Sequence, residues 1–182
     1  MSGKRALAAL LALILLIGAM PGVGAFFGEP KSFEDVPADA WYKNALDQLT
    51  ALEIINGKDD LHFDPDGSLT RGEFITMLFN ATETAQPYWN GLNDMGIIAG
   101  SGIQCSNAEL NKPISRYEMA VLVTNVMYKA NFEDKVLLNN LSSVIKDYSS
   151  IPANFQYAVE QAVGKGVLSG YTDQTFQGAN TL

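Results

Sequence analysis

The chain has one cysteine, Cys105, and one histidine, His62, in 182 residues. A lone cysteine cannot close an intramolecular disulfide and is read as a small buried hydrophobe. With a single histidine, zinc sites built from Cys and His clusters are excluded, as are Cys–His and Ser–His–Asp catalysis outside a set built around His62. Positive charge is also scarce, with 12 Lys and Arg against 20 Asp and Glu. Such an acidic surface is a poor match for nucleic acid, whose phosphates require basic partners. The longest apolar run, Ala6–Ile17, has 12 residues, short of the roughly 20 that a membrane-spanning helix needs.

That run instead marks a secretory signal. Lys4 and Arg5 precede it, and Val23-Gly24-Ala25 follows as a small-x-small cleavage site, giving a signal peptide over residues 1–25. Left uncleaved, the same run would act as an anchor; nothing later in the sequence is apolar enough to span a bilayer. A secreted chain is therefore expected, with no membrane contact after cleavage. Cleavage leaves 157 residues with 10 basic against 20 acidic side chains, a net charge of −10. That length supports one core or a few small stacked ones.

What the sequence does contain is a repeat. Thr70-Arg71-Gly72-Glu73 and Ser115-Arg116-Tyr117-Glu118 each follow a Gly-containing loop and open an apolar-periodic run, and their lead-in recurs near the C-terminus. Recurrence at this scale marks one supersecondary unit stacked on copies of itself. In the first copy, Asp39 is read as the N-cap of a helix burying Ala45, Leu46, Leu49 and Leu52. Gly57 suits a left-handed C-terminal position, Phe63-Asp64-Pro65-Asp66-Gly67 makes a turn, and a second helix from Thr70 buries Phe74, Met77 and Leu78. In the second copy Tyr88-Trp89-Asn90-Gly91-Leu92 matches the segment from Tyr42 to Leu46. Ile97-Ile98-Ala99-Gly100 matches Ile54-Ile55-Asn56-Gly57 three residues sooner, and the helix from Ser115 buries Met119, Leu122 and Val123.

The third copy runs from Ile145-Lys146-Asp147-Tyr148 through Phe155, Ala158, Val159 and Ala162 to Val167-Leu168-Ser169-Gly170. Phe176 follows Gly170 by six residues, as Phe63 follows Gly57, so the counterpart of Thr70 falls one position past Leu182. This sequence therefore holds no third Arg motif, and it reads as the front of a longer protein or as a truncated frame. The expected organisation is a signal at 1–25, a lead segment at 26–32, repeats at 33–82 and 83–130, a connector at 131–143 and a shortened repeat at 144–182.

Thr70-x-x-Glu73 and Ser115-x-x-Glu118 are capping boxes. The Arg within each sits in the first helical turn, where the helix dipole disfavours a cation by about 0.3–1 kcal/mol. An anion completing the arrangement would explain that placement, because Arg offers a planar fork to a carboxylate. Read instead as a calcium loop, the segment from His62 puts Asp64, Asp66, Gly67, Leu69 and Glu73 at the third, fifth, sixth, eighth and twelfth positions, with a poor ligand, His62, at the first. A calcium-stabilised structural or adhesion module is the alternative this opens. Acidic pairs such as Glu34/Asp35 and Asp59/Asp60 are read as solvated. No catalytic set, no metal cluster and no cofactor motif is present.

Phe33-Glu34-Asp35-Val36-Pro37, Trp41-Tyr42, Gly57, Phe63-Asp64-Pro65-Asp66-Gly67 and Thr70-Arg71-Gly72-Glu73 together resemble the S-layer homology (SLH) domain. The resemblance covers essentially the whole mature chain, as two complete copies and one cut short. It implies a mainly α fold of tandem helix–loop–helix repeats packed as a pseudo-threefold SLH-like bundle. It also implies non-covalent anchoring of a secreted protein to a cell-wall secondary polysaccharide or peptidoglycan-linked polymer, commonly pyruvylated. By position it nominates Arg71 and Arg116 as carboxylate contacts, with Asp35, Trp41, Gly57, Glu73, Gly100 and Glu118 shaping grooves between repeats, and Trp41 stacking on a sugar. Repeat two lacks the Asp matching Asp35, its chain reading Asn80-Ala81-Thr82 there. The incomplete third repeat offers a face for self-association. An appended wall-active enzyme, with this chain as its N-terminal targeting part, is the remaining alternative.

Overall fold

Helices starting at the two Arg motifs organise the molecule. The structure, a computed structural model, describes residues 28–81, 91, 95–129 and 141–181. The signal peptide, most of the expected first helix of repeat two, and the connector up to residue 140 lie outside the described residues. The α-helices are α1 (Lys43–Ala51), α2 (Arg71–Ala81), α3 (Asn107–Leu110), α4 (Arg116–Lys129), α5 (Leu141–Val144) and α6 (Ala153–Gly164), with a 3₁₀ turn at Tyr148–Ser150. Among the described residues there is no strand, only isolated antiparallel bridges at Thr70–Pro113 and Ser115–Thr181. The fold is mainly α, as expected.

Both second helices open on a capping box and carry the predicted apolar face. Phe74 and Leu78 of α2, and Met119, Leu122 and Val123 of α4, are fully buried. Helix α4 is buried on nearly every side, with Ala120, Val121, Val126 and Met127 also in the core, the signature of a central helix. It lies along α6 and also packs against α2. Helix α6 presents Ala158, Val159 and Ala162 to this core, and Val167, Leu168 and Phe176 extend it.

One helix start differs from expectation. Helix α1 begins at Lys43 after Tyr42 with no side-chain cap. Asp39 is exposed and lies within a turn. Successive backbone bonds, Ala40 N–H to Pro37 and Lys43 N–H to Ala40, coil the chain into the helix. These turns satisfy backbone groups that a side-chain cap would otherwise serve.

The first and third repeats share several backbone bonds in register. Ile54 and Ile55 N–H donate to the Leu49 carbonyl, and Val167 and Leu168 N–H donate to that of Ala162. Left-handed residues fall in register at Glu53 and Gly166, and again at Asp64 and Gln177. In the second repeat Gly96 and Gly100 are left-handed as well, and Ile97 and Ile98 are buried.

Candidate functional site

The capping boxes form as the spacing requires. Glu73 accepts from Thr70 N–H (2.8 Å) and Thr70 Oγ1 accepts from Glu73 N–H (3.2 Å). Glu118 accepts from Ser115 N–H (2.8 Å) and Ser115 Oγ accepts from Glu118 N–H (3.3 Å). Each Glu uses one oxygen for the cap, and its other oxygen meets a cation. Glu73 pairs with Lys58 at 2.5 Å in its own repeat, whereas Glu118 pairs with Arg71 at 2.5 Å across the seam between repeats. Burial raises the Glu73 pKa, but Lys58 and the Thr70 donors outweigh it and hold the carboxyl below its ordinary value.

Arg71 is the hub of that seam. Its Nη1 donates to the Glu109 carboxylate at 2.5 Å and to the Glu109 carbonyl at 3.3 Å, while Nη2 reaches Glu118. Its side chain is 15% exposed, and Nε is buried without a hydrogen-bond partner. Desolvation works against the charge, yet Glu118 and Glu109 overcome it and hold the guanidinium above its ordinary pKa. Glu109 in turn has a second cation, Lys112, at 2.5 Å, the main reason its carboxyl lies below the usual range.

Arg116 occupies the equivalent place in the next seam with different partners. It is 2% exposed; Nε donates to the Phe176 carbonyl (2.8 Å) and Nη2 to that of Ser169 (2.7 Å). The guanidinium carbon lies 4.7 Å from the Tyr171 ring centroid and 4.6 Å from that of Phe176. Among the described residues no carboxylate pairs with it, and burial pushes its pKa down.

The other nominated residues are spread over the molecule. Asp35 accepts from Phe63 N–H (2.9 Å) and Asp64 N–H (2.6 Å), pinning the loop to the start of repeat one. Those bonds outweigh desolvation and keep its carboxyl below the ordinary pKa. Gly57 has φ +84°, and a Cβ there would come within 2.5 Å of the Phe33 ring. Gly100 has φ +78° with open space around it. Trp41 is 55% exposed, edge-on to Tyr42 at 5.8 Å. Gly57 and Glu73 share a groove of about 260 Å³ on repeat one with Lys58, Phe63, Gly67 and Ser68; Arg71 and Glu118 meet instead at the seam. Among the described residues no group of three or more His, Cys, Asp or Glu is placed to hold a metal. The proposed calcium loop has its Glu73 engaged by the cap and Lys58.

Three kinds of residue were missed. Asp147 accepts from Phe176 N–H (2.7 Å) and Gln177 N–H (2.9 Å), repeating Asp35's bonds; its register with Asp35 was the available signal. Glu109 sits in a third hydroxyl-x-x-Glu pattern, in which Ser106 caps α3 by accepting from Glu109 N–H. Asn80 donates to the Ile54 carbonyl (3.2 Å), and Asn125 to those of Ile97 (2.7 Å) and Ala99 (2.9 Å). Each thus ties a second helix to the end of its own repeat's first segment, and both stand ten residues after the motif hydroxyl.

The fold and its seams define a tandem helical-repeat protein in which each motif Arg docks on the following repeat. The S-layer homology domain family matches at residues 32–75 and 144–182, each stretch starting one residue before the paired positions Phe33 and Ile145. Those two stretches are the part of the chain that is similar to S-layer homology repeats. It is 28% identical to an endoglucanase of Bacillus sp. (strain KSM-635) over 96% of this chain and 20% of that protein. It is 25% identical to an amylopullulanase of Thermoanaerobacterium thermosulfurigenes over 84% of this chain and 9% of that protein. S-layer protein sap of Bacillus anthracis is 28% identical over 67% of this chain and 16% of its own length. The chain thus spans a fifth or less of these relatives. No solved structure matches it. Repeats of this family are surface-anchoring modules that bind cell-wall polymers and are not themselves catalytic, and together with the S-layer relatives they indicate a secreted, cell-surface location.

Proposed function

We propose that the anchor works by gripping an anionic, pyruvylated cell-wall polysaccharide at the seam between the first two repeats, with Arg71 as the carboxylate contact. The observation that carries this is the state of Arg71: it is partly accessible, charged, and held by a Glu109 carboxylate that has Lys112 as a second partner. A ligand carboxylate replaces Glu109 on Nη1, Glu109 stays with Lys112, and Glu118 continues to hold Nη2. Exchange of one carboxylate for another leaves no charge stranded, which is the condition for a buried or half-buried ion pair to change partners at low cost. Arg116 supports the neighbouring repeat from its enclosed position, and exposed Trp41 supplies an apolar face for a sugar ring. Export by cleavage after Ala25 brings the chain to the wall. The net negative charge opposes the polymer only at long range, since screening at 0.15 M salt confines it to about 8 Å.

The test is co-sedimentation with purified wall sacculi, intact and acid-stripped of secondary polymer. Binding should vanish on stripping, fall at least tenfold in Arg71→Ala, and strengthen in Glu109→Gln, where the internal competitor is weakened. Binding that ignores stripping and survives Arg71→Ala would refute this reading. A second reading, that the chain is the targeting part of a longer wall-active enzyme, is favoured by the endoglucanase and amylopullulanase relatives, in which the matched segment is a minor part.

A further inference from the structure

Away from the motif arginines, one pair of side chains is held in a geometry that the repeat pattern does not call for. Tyr128 lies near the end of α4 and Tyr157 early in α6, 29 residues apart in sequence. Their rings are nearly parallel, with planes 9° apart and centroids 6.3 Å apart, and their hydroxyls hydrogen-bond to each other. The Tyr128 hydroxyl also reaches Gln161 Oε1 (3.4 Å). Tyr157 is 48% exposed and Tyr128 is half-buried, so solvent reaches the pair.

Neither tyrosine belongs to the repeat. In the register that pairs Asp147 with Asp35, Tyr157 stands where repeat one has the buried Ala45. In the register that pairs Arg116 with Arg71, Tyr128 stands where repeat one has Glu83. The pair is a feature of this chain's junction between repeats two and three. Other tyrosines are engaged elsewhere: Tyr42 lies edge-on to Trp41, Tyr117 stacks on Phe155 and Phe176, and the Tyr171 ring lies under Arg116. Among the described residues no other two tyrosine rings meet.

We propose that Tyr128 and Tyr157 form an oxidative cross-linking site, joined by a carbon–carbon bond into dityrosine when a haem peroxidase turns over hydrogen peroxide at the cell surface. Burial and the Tyr157 hydroxyl push the Tyr128 pKa up to about 12, so this phenol is neutral at neutral pH and gives up its proton along with its electron. Each phenol loses its O–H hydrogen, as a proton to water and an electron to the peroxidase. The unpaired electron of each radical spreads to the ring carbons ortho to oxygen. Because the hydroxyls touch, the ring edges that carry these carbons adjoin. One ortho carbon of each ring forms the new bond, and the hydrogen it carried moves to its own oxygen, restoring both phenols. Hydrogen peroxide takes up the two electrons and two protons and leaves as two waters. The bond ties α4 to α6 and closes the chain between them into a covalent loop, restricting the unfolded state as a disulfide would. The single cysteine of this chain can close no such loop. The inference is independent of where the wall polymer binds.

Treating dilute whole protein with peroxidase and hydrogen peroxide tests it, with free tyrosine in parallel to show that the oxidant is active. Dityrosine fluorescence is expected in the monomer fraction, with a mass lower by two hydrogens and a proteolytic product linking the segments that carry Tyr128 and Tyr157. The treated monomer should also melt at a higher temperature. Tyr128→Phe and Tyr157→Phe retain both rings and should each lower the monomer yield at least tenfold, whereas Tyr148→Phe should leave it unchanged. No dityrosine in the monomer while free tyrosine is converted, a linkage mapped to another pair, or an undiminished yield in Tyr157→Phe would each overturn the inference.

Discussion

Replacing Arg116 with Met keeps an unbranched side chain in the seam and removes the guanidinium. The Phe176 and Ser169 carbonyls then lose their donors, at 2.8 and 2.7 Å, the first bond buried and the second part-buried. Hydrogen bonds to a charged group contribute about 1.5–3 kcal/mol each, so the pair amounts to roughly 3–6 kcal/mol. Stacking over Tyr171 and Phe176 adds about 1 kcal/mol. Desolvation works the other way, because the variant no longer has to hold a charge that burial already disfavours. The net loss should be about 2–4 kcal/mol, a large share of the 5–15 kcal/mol typical of a domain. Urea unfolding followed by far-ultraviolet circular dichroism would measure it, with an unchanged slope showing that the midpoint shift is a stability change. Arg116→Lys should recover only part of the loss, since one ammonium cannot present a planar fork to both carbonyls. A loss below about 1 kcal/mol in Arg116→Met, or a Lys variant indistinguishable from wild type, would refute the reasoning.

Two further outcomes separate structural from accessory roles among the nominated residues. Gly57→Ala should cost about 2–4 kcal/mol, combining a left-handed backbone with a clash against the Phe33 ring, whereas Gly100→Ala should cost only the backbone share of about 1–2 kcal/mol; thermal unfolding of the two variants would show the ordering, and equal losses would refute it. Asp35 has a folded pKa below its unfolded value, so its contribution is present above the unfolded value of about 3.9 and is lost as pH falls through the folded one. Asp35→Asn should therefore be less stable than wild type at neutral pH and should lose less on acidification, with parallel pH–stability curves counting against the loop-pinning role.

The second helices were legible in the sequence because two independent local signals coincide there. A hydroxyl-x-x-Glu cap precedes each, and the apolar period that follows names residues such as Phe74, Leu78, Met119 and Leu122 that are indeed buried. The start of α1 was not legible, because Asp39 has the right chemistry for a cap and only the backbone geometry from Pro37 to Lys43 shows that turns do the work. The partners of the motif arginines were out of reach for another reason. Glu109 lies 38 residues from Arg71, and Ser169 and Phe176 lie 53 and 60 from Arg116. Contacts at such separations depend on how repeats stack, and periodicity within one repeat carries no information about them.

That distance changes the argument about why Arg stands in a first helical turn at all. From sequence, a cation at the positive end of a helix dipole suggests an outside anion that offsets the penalty of about 0.3–1 kcal/mol. The folded chain offers inside partners instead, and they differ between the seams. Around Arg116 they are neutral carbonyls and ring faces, enclosed so fully that the residue's placement is explained by stacking one repeat on the next. Around Arg71 they are two carboxylates, and one of them, Glu109, is shared with Lys112. Only the second arrangement can trade an internal anion for an external one without leaving a buried charge unpaired. The same motif thus performs repeat-to-repeat docking in both places, and the identity of the receiving loop, not the motif, decides which Arg can exchange an internal carboxylate for an external one.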